Sequence, residues 1–594
     1  MWSLFVLKRG ETRGSNKNME IYMDLTHLPA YQKRVFVPEG ADLTDVTTVV
    51  GLYEKLEKKL IGSAQELEHW LIERSELDAA LSQTGSILQI RMTCQTDDLA
   101  IAGSYTKFIE TIPPAIEPIN DRLNRKYLKA RELYALDTKR YEVYDRSVKT
   151  GIELFCEKNV PLQTKVALLS QEYQTVCGAM TVHFEEKEQT LPQMGKYLLE
   201  TDRSLRERAW KASADRRIKD KDKLETIFEA MFELRNTMAH NAGFQSFTEY
   251  QFKSYQRFDY SPSDCKKYHE TVEKLIVPLN GKILNKRKEQ MKLKTLRPWD
   301  TAVDALGQKP LAPFKDAKDL IKATASIFNK LDPQLGGQFQ EMDNLGLLDL
   351  SSRKGKAPGG YQSTLSEARK PFIFMNAVGI DDDVRTLLHE SGHAFHALAC
   401  ADEPIVDYRH APMEFCEVAS MAMELLGGEH LNEFYNAEDL QRSNREHLEG
   451  IIQTLAWVAN IDAFQHWLYE HPTHSREERC QAWVAFYEQF GGQFIDWSEL
   501  TEIKNYLWHR QLHIFEVPFY YIEYGIAQLG ALQVWLNNRR NPKKALADYK
   551  HGLSLGGSRP VKELYLAAGI SFDFSESIIQ PLIEEVTREW ERLS

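Results

Sequence analysis

The 594-residue chain is poor in several things that would have placed it quickly. It has no run of about 18 apolar residues, so it offers no membrane span. Its first stretch, MWSLFVLKRG, carries only a short apolar run with the charges after it, which is not the order of a secretory signal. Seven cysteines, at 94, 156, 177, 265, 400, 416 and 480, are odd in number and lack CxxC spacing. That excludes a disulfide framework and a cysteine-based zinc motif, and it suits a reducing cytoplasm. Positive charge is also short: 74 Lys and Arg stand against 86 Asp and Glu, a net charge of −12. Neither nucleic acid nor an anionic membrane surface is an expected partner. The Gly-rich segments KGKAPGGY and LGGSRP lack the strand–GxxxxGK[ST]–helix order of a nucleotide site. There is no low-complexity segment and no repeat of 20–50 residues.

What remains is an ordinary globular composition, 43% hydrophobic and 27% charged. Helical spacing of apolar residues begins near residue 41, at Leu43 to Leu60 and Ala64 to Leu81. It continues over Leu99 to Leu133, where Pro113, Pro114 and Pro118 predict breaks or a kink. Ala130 to Thr150 reads as one long solvated helix, and Met180 to Thr190 as a β-like island. Gly243 predicts a helix end, and Tyr260 to Ser263 a helix start ahead of a segment that Pro278 can kink. Lys370 to Gly379 reads as a strand, either a core strand or one offering its edge to an extended peptide. From Asp381 the pattern is helical to the end. The fold class expected is mainly α, with a small β-sheet beside the segment described next. Residues 1–18 are expected to be a disordered tail or an over-extended start, 19–195 an N-terminal helical region, and 196–594 the catalytic region.

That segment is Leu387 to Ala399, LLHESGHAFHALA, which contains His389-Glu390-Ser391-Gly392-His393. On a helix, positions i and i+4 share a face. His389 and His393 can therefore aim two imidazoles at one zinc ion about 2 Å away. Glu390 stands where it can act as general base toward an activated water. Catalytic zinc usually takes a third protein ligand. His396 shares the face but is an awkward third corner from one short helix, so it reads as support or packing. In the apolar segment Met413 to Leu426, Glu417 lies between Cys416 and Val418, where a buried carboxylate needs a partner. Glu414 is its rival, and burial favours Glu417. Glu424, seven residues on, can orient a ligand histidine.

With HESGHAFH followed by EFCEVASMAMELL, the chain resembles the M3 zinc oligopeptidases (thimet oligopeptidase-like), most closely the oligoendopeptidase F branch. Glu417 falls 417 − 393 = 24 residues after the second histidine, as the family's third ligand does. GKAPGGY, PFIFMNAVG, TDRSLRERAW and RNTMAHNAGFQSFTEYQF resemble further family segments. So do GLSLGGSRPVKELYLAAG and the run from His513 to Tyr524, in which Tyr520 and Tyr524 fit the oligoendopeptidase F spacing and Tyr521 the thimet-like one. The resemblance implies a zincin-type peptidase with a deep central cleft and one Zn2+ held by His389, His393 and Glu417. It also implies Glu390 as base, and His513 with Tyr520, Tyr521 or Tyr524 as oxyanion donors. The implied activity is a zinc metalloendopeptidase acting on internal bonds of short unfolded peptides. Two alternatives stand beside it: a C-terminal-acting (dipeptidyl) carboxypeptidase, and a non-catalytic peptide-binding protein on the same scaffold.

Overall fold

The computed structural model describes Leu25 and residues 28–594, except 354 and 358. The tail expected at residues 1–18 lies outside the described residues. The chain is mainly α-helical, with one two-stranded and one three-stranded sheet among the described residues.

Four helices open the fold: α1 (Val46–Lys58), α2 (Ala64–Cys94), α3 (Leu99–Leu133) and α4 (Thr138–Leu154). They enclose a core of their own around Trp70, Leu77, Ile112, Leu123 and Tyr127. The prolines of α3 do not interrupt it. Pro113, Pro114 and Pro118 are all exposed, as are the residues whose carbonyls they leave unpaired, so water satisfies those groups, while Ile112 and Ile119 anchor the opposite face. The single solvated helix expected at Ala130 to Thr150 is instead two pieces. α3 ends at Leu133, and the Asp137 side chain caps α4 by accepting from the backbone N–H of Arg140. Tyr141, Tyr144 and Val148 are buried, so α4 is not merely a charged exterior face.

The β-like island is a hairpin, β1 (Thr181–Phe184) with β2 (Lys187–Thr190). Glu185 and Glu186 turn it with φ of 47° and 61°, the left-handed pair that matches strand twist. Further on, α5 (Pro262–Thr271) starts at a Ser261–Asp264 capping box. It runs into a π-helical turn at Val272–Ile276, directly before Pro278, where a kink was expected.

The three-stranded sheet comprises β3 (Leu348–Ser351), β4 (Tyr361–Leu365) and β5 (Lys370–Ala377), in the order β3-β5-β4. β5 pairs parallel with β3 and antiparallel with β4. The Lys370 to Gly379 strand is therefore central and has no edge to offer; β3 and β4 are the edge strands, and β4 packs along the next helix. Four helices complete the frame of the site: α6 (Asp381–Ala399), α7 (Met413–Gly428), α8 (Ala437–Glu470) and α9 (Ile522–Arg540). α7 lies between α6 and α9. Small residues permit both approaches. A Cβ on Gly392 of α6 would stand 2.5 Å from the Ala419 carbonyl oxygen, and one on Gly530 of α9 would stand 2.7 Å from Val418.

Candidate metal and active site

The start of α6 is fixed by its own acidic residues. Asp383 accepts hydrogen bonds from the backbone N–H groups of Val378, Gly379 and Ile380, at 2.8, 2.8 and 3.0 Å. It satisfies donors that a helix N-terminus leaves free, at the end where the dipole favours negative charge. Asp381 accepts from the Tyr435 and Ser443 hydroxyls, tying α6 to α8 and the segment before it. The helix so anchored carries His389, Glu390 and His393.

One ring nitrogen of each histidine and a carboxylate oxygen of Glu417 lie within 4.8 Å of one another. Glu417 Oε2 is 3.4 Å from His389 Nε2 and 3.5 Å from His393 Nε2. Such separations are close to those of donors arranged tetrahedrally about one zinc, for bonds of about 2 Å. Burial alone would raise the Glu417 carboxyl, but His389 and His393 outweigh it and hold it well below the usual carboxylate range. The Ser420 hydroxyl also donates to Glu417, at 2.9 Å. Glu424 hydrogen-bonds His389 Nδ1 at 2.7 Å, which leaves Nε2 as the lone-pair nitrogen facing the cluster. His447, which the sequence did not single out, stands 3.7 Å behind Glu424, and burial pushes its imidazole down to about 4.

Glu390 lies beside the cluster, near enough for His389, His393 and Glu417 to act on its charge, and borders β4 at Gln362. Burial raises its carboxyl above the ordinary value, opposed first by His389 and His393 and then by a hydrogen bond from the Gln362 backbone N–H. A raised carboxyl is a stronger base than a free one.

The segment from His513 to Tyr524 brings the other candidate side chains together. His513 lies against all three tyrosines, with ring centroids 6.1 Å from Tyr520, 4.7 Å from Tyr521 and 6.0 Å from Tyr524. Tyr520 and Tyr524 are close enough to Glu417 for its charge to raise their phenols, after the larger effect of burial. Tyr521 instead has Gln511, Arg510 and Trp457 as its polar neighbours. Gln511 is a further residue that sequence reasoning missed. Trp457 Nε1–H, which can only donate, bonds Gln511 Oε1 at 3.1 Å. The amide nitrogen of Gln511 must then face His513 Nδ1, at 2.7 Å, and donate to it. The His513 proton consequently resides on Nε2. Burial lowers the imidazole to about 4, so near neutral pH it is an uncharged donor.

Phe519 holds the turn before these tyrosines with φ of 66°, a left-handed conformation uncommon outside glycine. Its N–H donates to Gln465 Oε1 at 2.8 Å, and its carbonyl accepts from the Arg257 guanidinium at 2.7 Å. Arg257 is fully buried and pairs with Glu523.

Two other candidates fall outside the cluster. His396 is buried against Phe415, 5.8 Å between centroids, and burial lowers it to about 3. The Glu414 side chain lies with Glu523 and Arg257, away from the histidines. The glycines of LGGSRP are buried against Tyr408 and His410, where a Cβ on Gly557 would stand 2.2 Å from a carbonyl oxygen. They pack against the Val406–Arg409 turn and the residue after it, and the Gly557 N–H donates to the Tyr408 carbonyl at 2.8 Å.

Residues 197–582 match the model for Peptidase family M3. An oligoendopeptidase F homolog of Borreliella burgdorferi is 24% identical over 261 residues, 41% of this chain and 42% of its own length. Oligopeptidase PepF of Bacillus subtilis is 24% identical over 336 residues, 54% of this chain and 48% of its own. The chain thus spans about half, or less, of the curated relatives it matches. Among solved structures, one assigned as an oligoendopeptidase F superposes with a TM-score of 0.82 and 26% identity, over 94% of this chain and 98% of that one. PZ peptidase A, solved with an inhibitor, gives a TM-score of 0.81 and 27% identity, over 94% and 99%.

Proposed function

The chain belongs to peptidase family M3, and on that premise we propose that it is a zinc-dependent oligopeptidase cutting internal bonds of short, unfolded peptides. The observation that carries this reading is the convergence of His389, His393 and Glu417 from two crossing helices, with His513, Tyr520 and Tyr524 lying close by. Two imidazole nitrogens and a carboxylate are a fitting donor set for Zn2+, and the three leave room for a fourth, exchangeable position. Zinc held there supplies Lewis acidity, lowering the pKa of water toward ~7 and polarising the scissile carbonyl.

The chain's own groups do the rest. Glu390 takes the proton of the attacking water and returns it to the leaving nitrogen. Its raised carboxyl makes it a better proton acceptor than an exposed glutamate. His513 offers Nε2–H to the developing oxyanion, a neutral donor whose tautomer Gln511 sets. Tyr520 and Tyr524, near enough to Glu417 to feel its charge, are the phenol donors; Tyr521 supports His513 and Gln511. β4 is an edge strand beside α6, where an extended substrate can pair by its backbone.

Two measurements test it. Glu390→Gln should keep zinc and fold but lose peptide hydrolysis by about 10²–10⁴-fold. Near-full activity in that variant would remove Glu390 as the base. Cut sites mapped in a mixed peptide library, with and without chelator, should be internal and chelator-sensitive. Cleavage confined to free C-termini would favour the carboxypeptidase alternative, and no cleavage together with no zinc would favour the binding protein.

A further inference from the structure

A second group of metal-binding side chains meets in the interior, behind the turn that carries the tyrosines. Cys265 and His269 are one helical turn apart on α5, and Asp462 and His466 are one turn apart on α8. Residues at i and i+4 project from one face, and α5 packs on α8, so the two helices bring these side chains together. Cys265 Sγ, a carboxylate oxygen of Asp462 and a ring nitrogen of His466 lie within 4.8 Å of one another. Asp462 Oδ2 is 3.4 Å from His466 Nε2 and 2.8 Å from His269 Nε2. Cys265 and Asp462 are 0% exposed, His466 2% and His269 8%.

Protein atoms alone leave this cluster unsatisfied. Asp462 Oδ1 and both ring nitrogens of His466 have no hydrogen-bond partner among the described residues. His466 Nε2 is within ion-pair range of the carboxylate but not aligned to bond it. Buried polar atoms in native proteins are nearly always paired, and a group left so is a mark of something that completes it. Charge gives the same indication. A thiolate, a carboxylate and two neutral imidazoles around a divalent cation sum to zero, which a dry interior tolerates. The 3.4 Å spacing of Asp462 Oδ2 and His466 Nε2 is that of neighbouring donors on four-coordinate zinc, and His269, bonded to Asp462 but outside the group of three, completes the set by turning its ring toward them.

We propose that Cys265, His269, Asp462 and His466 hold a second zinc ion, which is structural. All four positions are filled by protein and no solvent-facing side remains, the pattern of a closed site. The ion would lock α5 to α8 where α8 supports the tyrosine turn. The His466 ring packs on Phe519 at 5.0 Å and on Phe252 at 6.0 Å, and Gln465 holds the Phe519 N–H. The site itself stands independently of the proposed activity; only its bracing of the tyrosines rests on that reading.

The test is metal counting with a sulfur-sensitive probe. Full-length protein, stripped and then reconstituted with Zn2+ or Co2+, should take up two ions per chain, and His389→Ala/His393→Ala should take up one. The cobalt form should show a thiolate-to-metal charge-transfer band in both proteins. Cys265→Ser should lose that band and one ion, while Cys416→Ser, at the cysteine beside Glu417, should keep both. One ion in the wild type and none in the double histidine variant would overturn the proposal. So would a cobalt spectrum without sulfur, or a band that persists in Cys265→Ser. Should Cys265→Ser fail to fold, zinc X-ray absorption of the wild type decides: one sulfur ligand per two zinc ions supports the site, and none overturns it.

Discussion

At the scale of single residues, the site is a set of groups whose protonation is fixed by neighbours. Glu424 contributes no ligand atom to the three-donor cluster, yet its bond to His389 Nδ1 decides which nitrogen is free for metal. Glu424→Ala should weaken zinc binding by about 10–100-fold with the fold intact, read by competition with a chelating indicator. Unchanged affinity would show that His389 orients itself. Glu414 illustrates the opposite case, a carboxyl kept neutral. Burial, then Glu523, pushes it up to about 8. Its unfolded value is about 4.3, so the folded chain holds a proton that the unfolded chain releases. The stability owed to this neutral form is complete below about pH 4 and is lost as pH rises through about 8. Glu414→Gln cannot ionise, so its melting temperature should fall less than that of the wild type between about pH 6 and 9. Parallel curves would mean that Glu414 does not titrate in that range. The pattern HExxH and the glutamate beyond it were legible because i, i+4 geometry is local. Family spacing separated Glu417 from Glu414, whereas the burial argument pointed the wrong way, because Glu414 is the more buried of the two. Gln511 was not legible at all, because its meaning comes from Trp457, 54 positions away.

At the scale of elements, the site depends on how closely α6 and α7 cross. Gly392, inside the motif itself, faces Ala419 and Ser420 of α7, and the atoms that a Cβ would meet are backbone atoms that cannot swing aside. Gly392→Ala should destabilise the chain by about 1–3 kcal/mol and also weaken zinc binding, although no ligand is changed. Denaturant melts and metal competition on the same variant check both halves. Wild-type affinity would show that Glu417 tolerates the shift. Helices were largely legible, because their apolar spacing repeats along the chain. Their interruptions were less so. The α3 prolines did not break it because they face water, and exposure is a property of packing that the sequence does not state. The reverse held for Leu133 to Asp137, where a charged stretch concealed a break and a cap. Strand order in the small sheet was also out of reach. A strongly apolar run such as PFIFMNA signals a buried strand, but not which neighbours bury it.

At the scale of the whole molecule, two parts of the chain that are far apart in sequence build one site. The mainly α architecture and its family were legible from several motifs in order, whereas the junction between those motifs was not. The Arg257–Glu523 pair, which lies under the tyrosine turn, joins residues 266 positions apart. The proposed metal donors, in contrast, span only 417 − 389 = 28 positions, while His513 lies a further 513 − 417 = 96 beyond Glu417. This distribution has a consequence in time. Contacts between near neighbours in sequence form sooner than those that must close long loops. During refolding, capture of zinc by the crossing of α6 and α7 should therefore precede the arrival of the His513–Tyr524 segment. A zinc indicator followed alongside peptide hydrolysis should report metal uptake first and turnover later. Simultaneous onset would mean that the three ligands are not positioned until the whole chain has closed around them. A chain ordered this way would pass through a stage that holds its metal but cannot yet cut peptides.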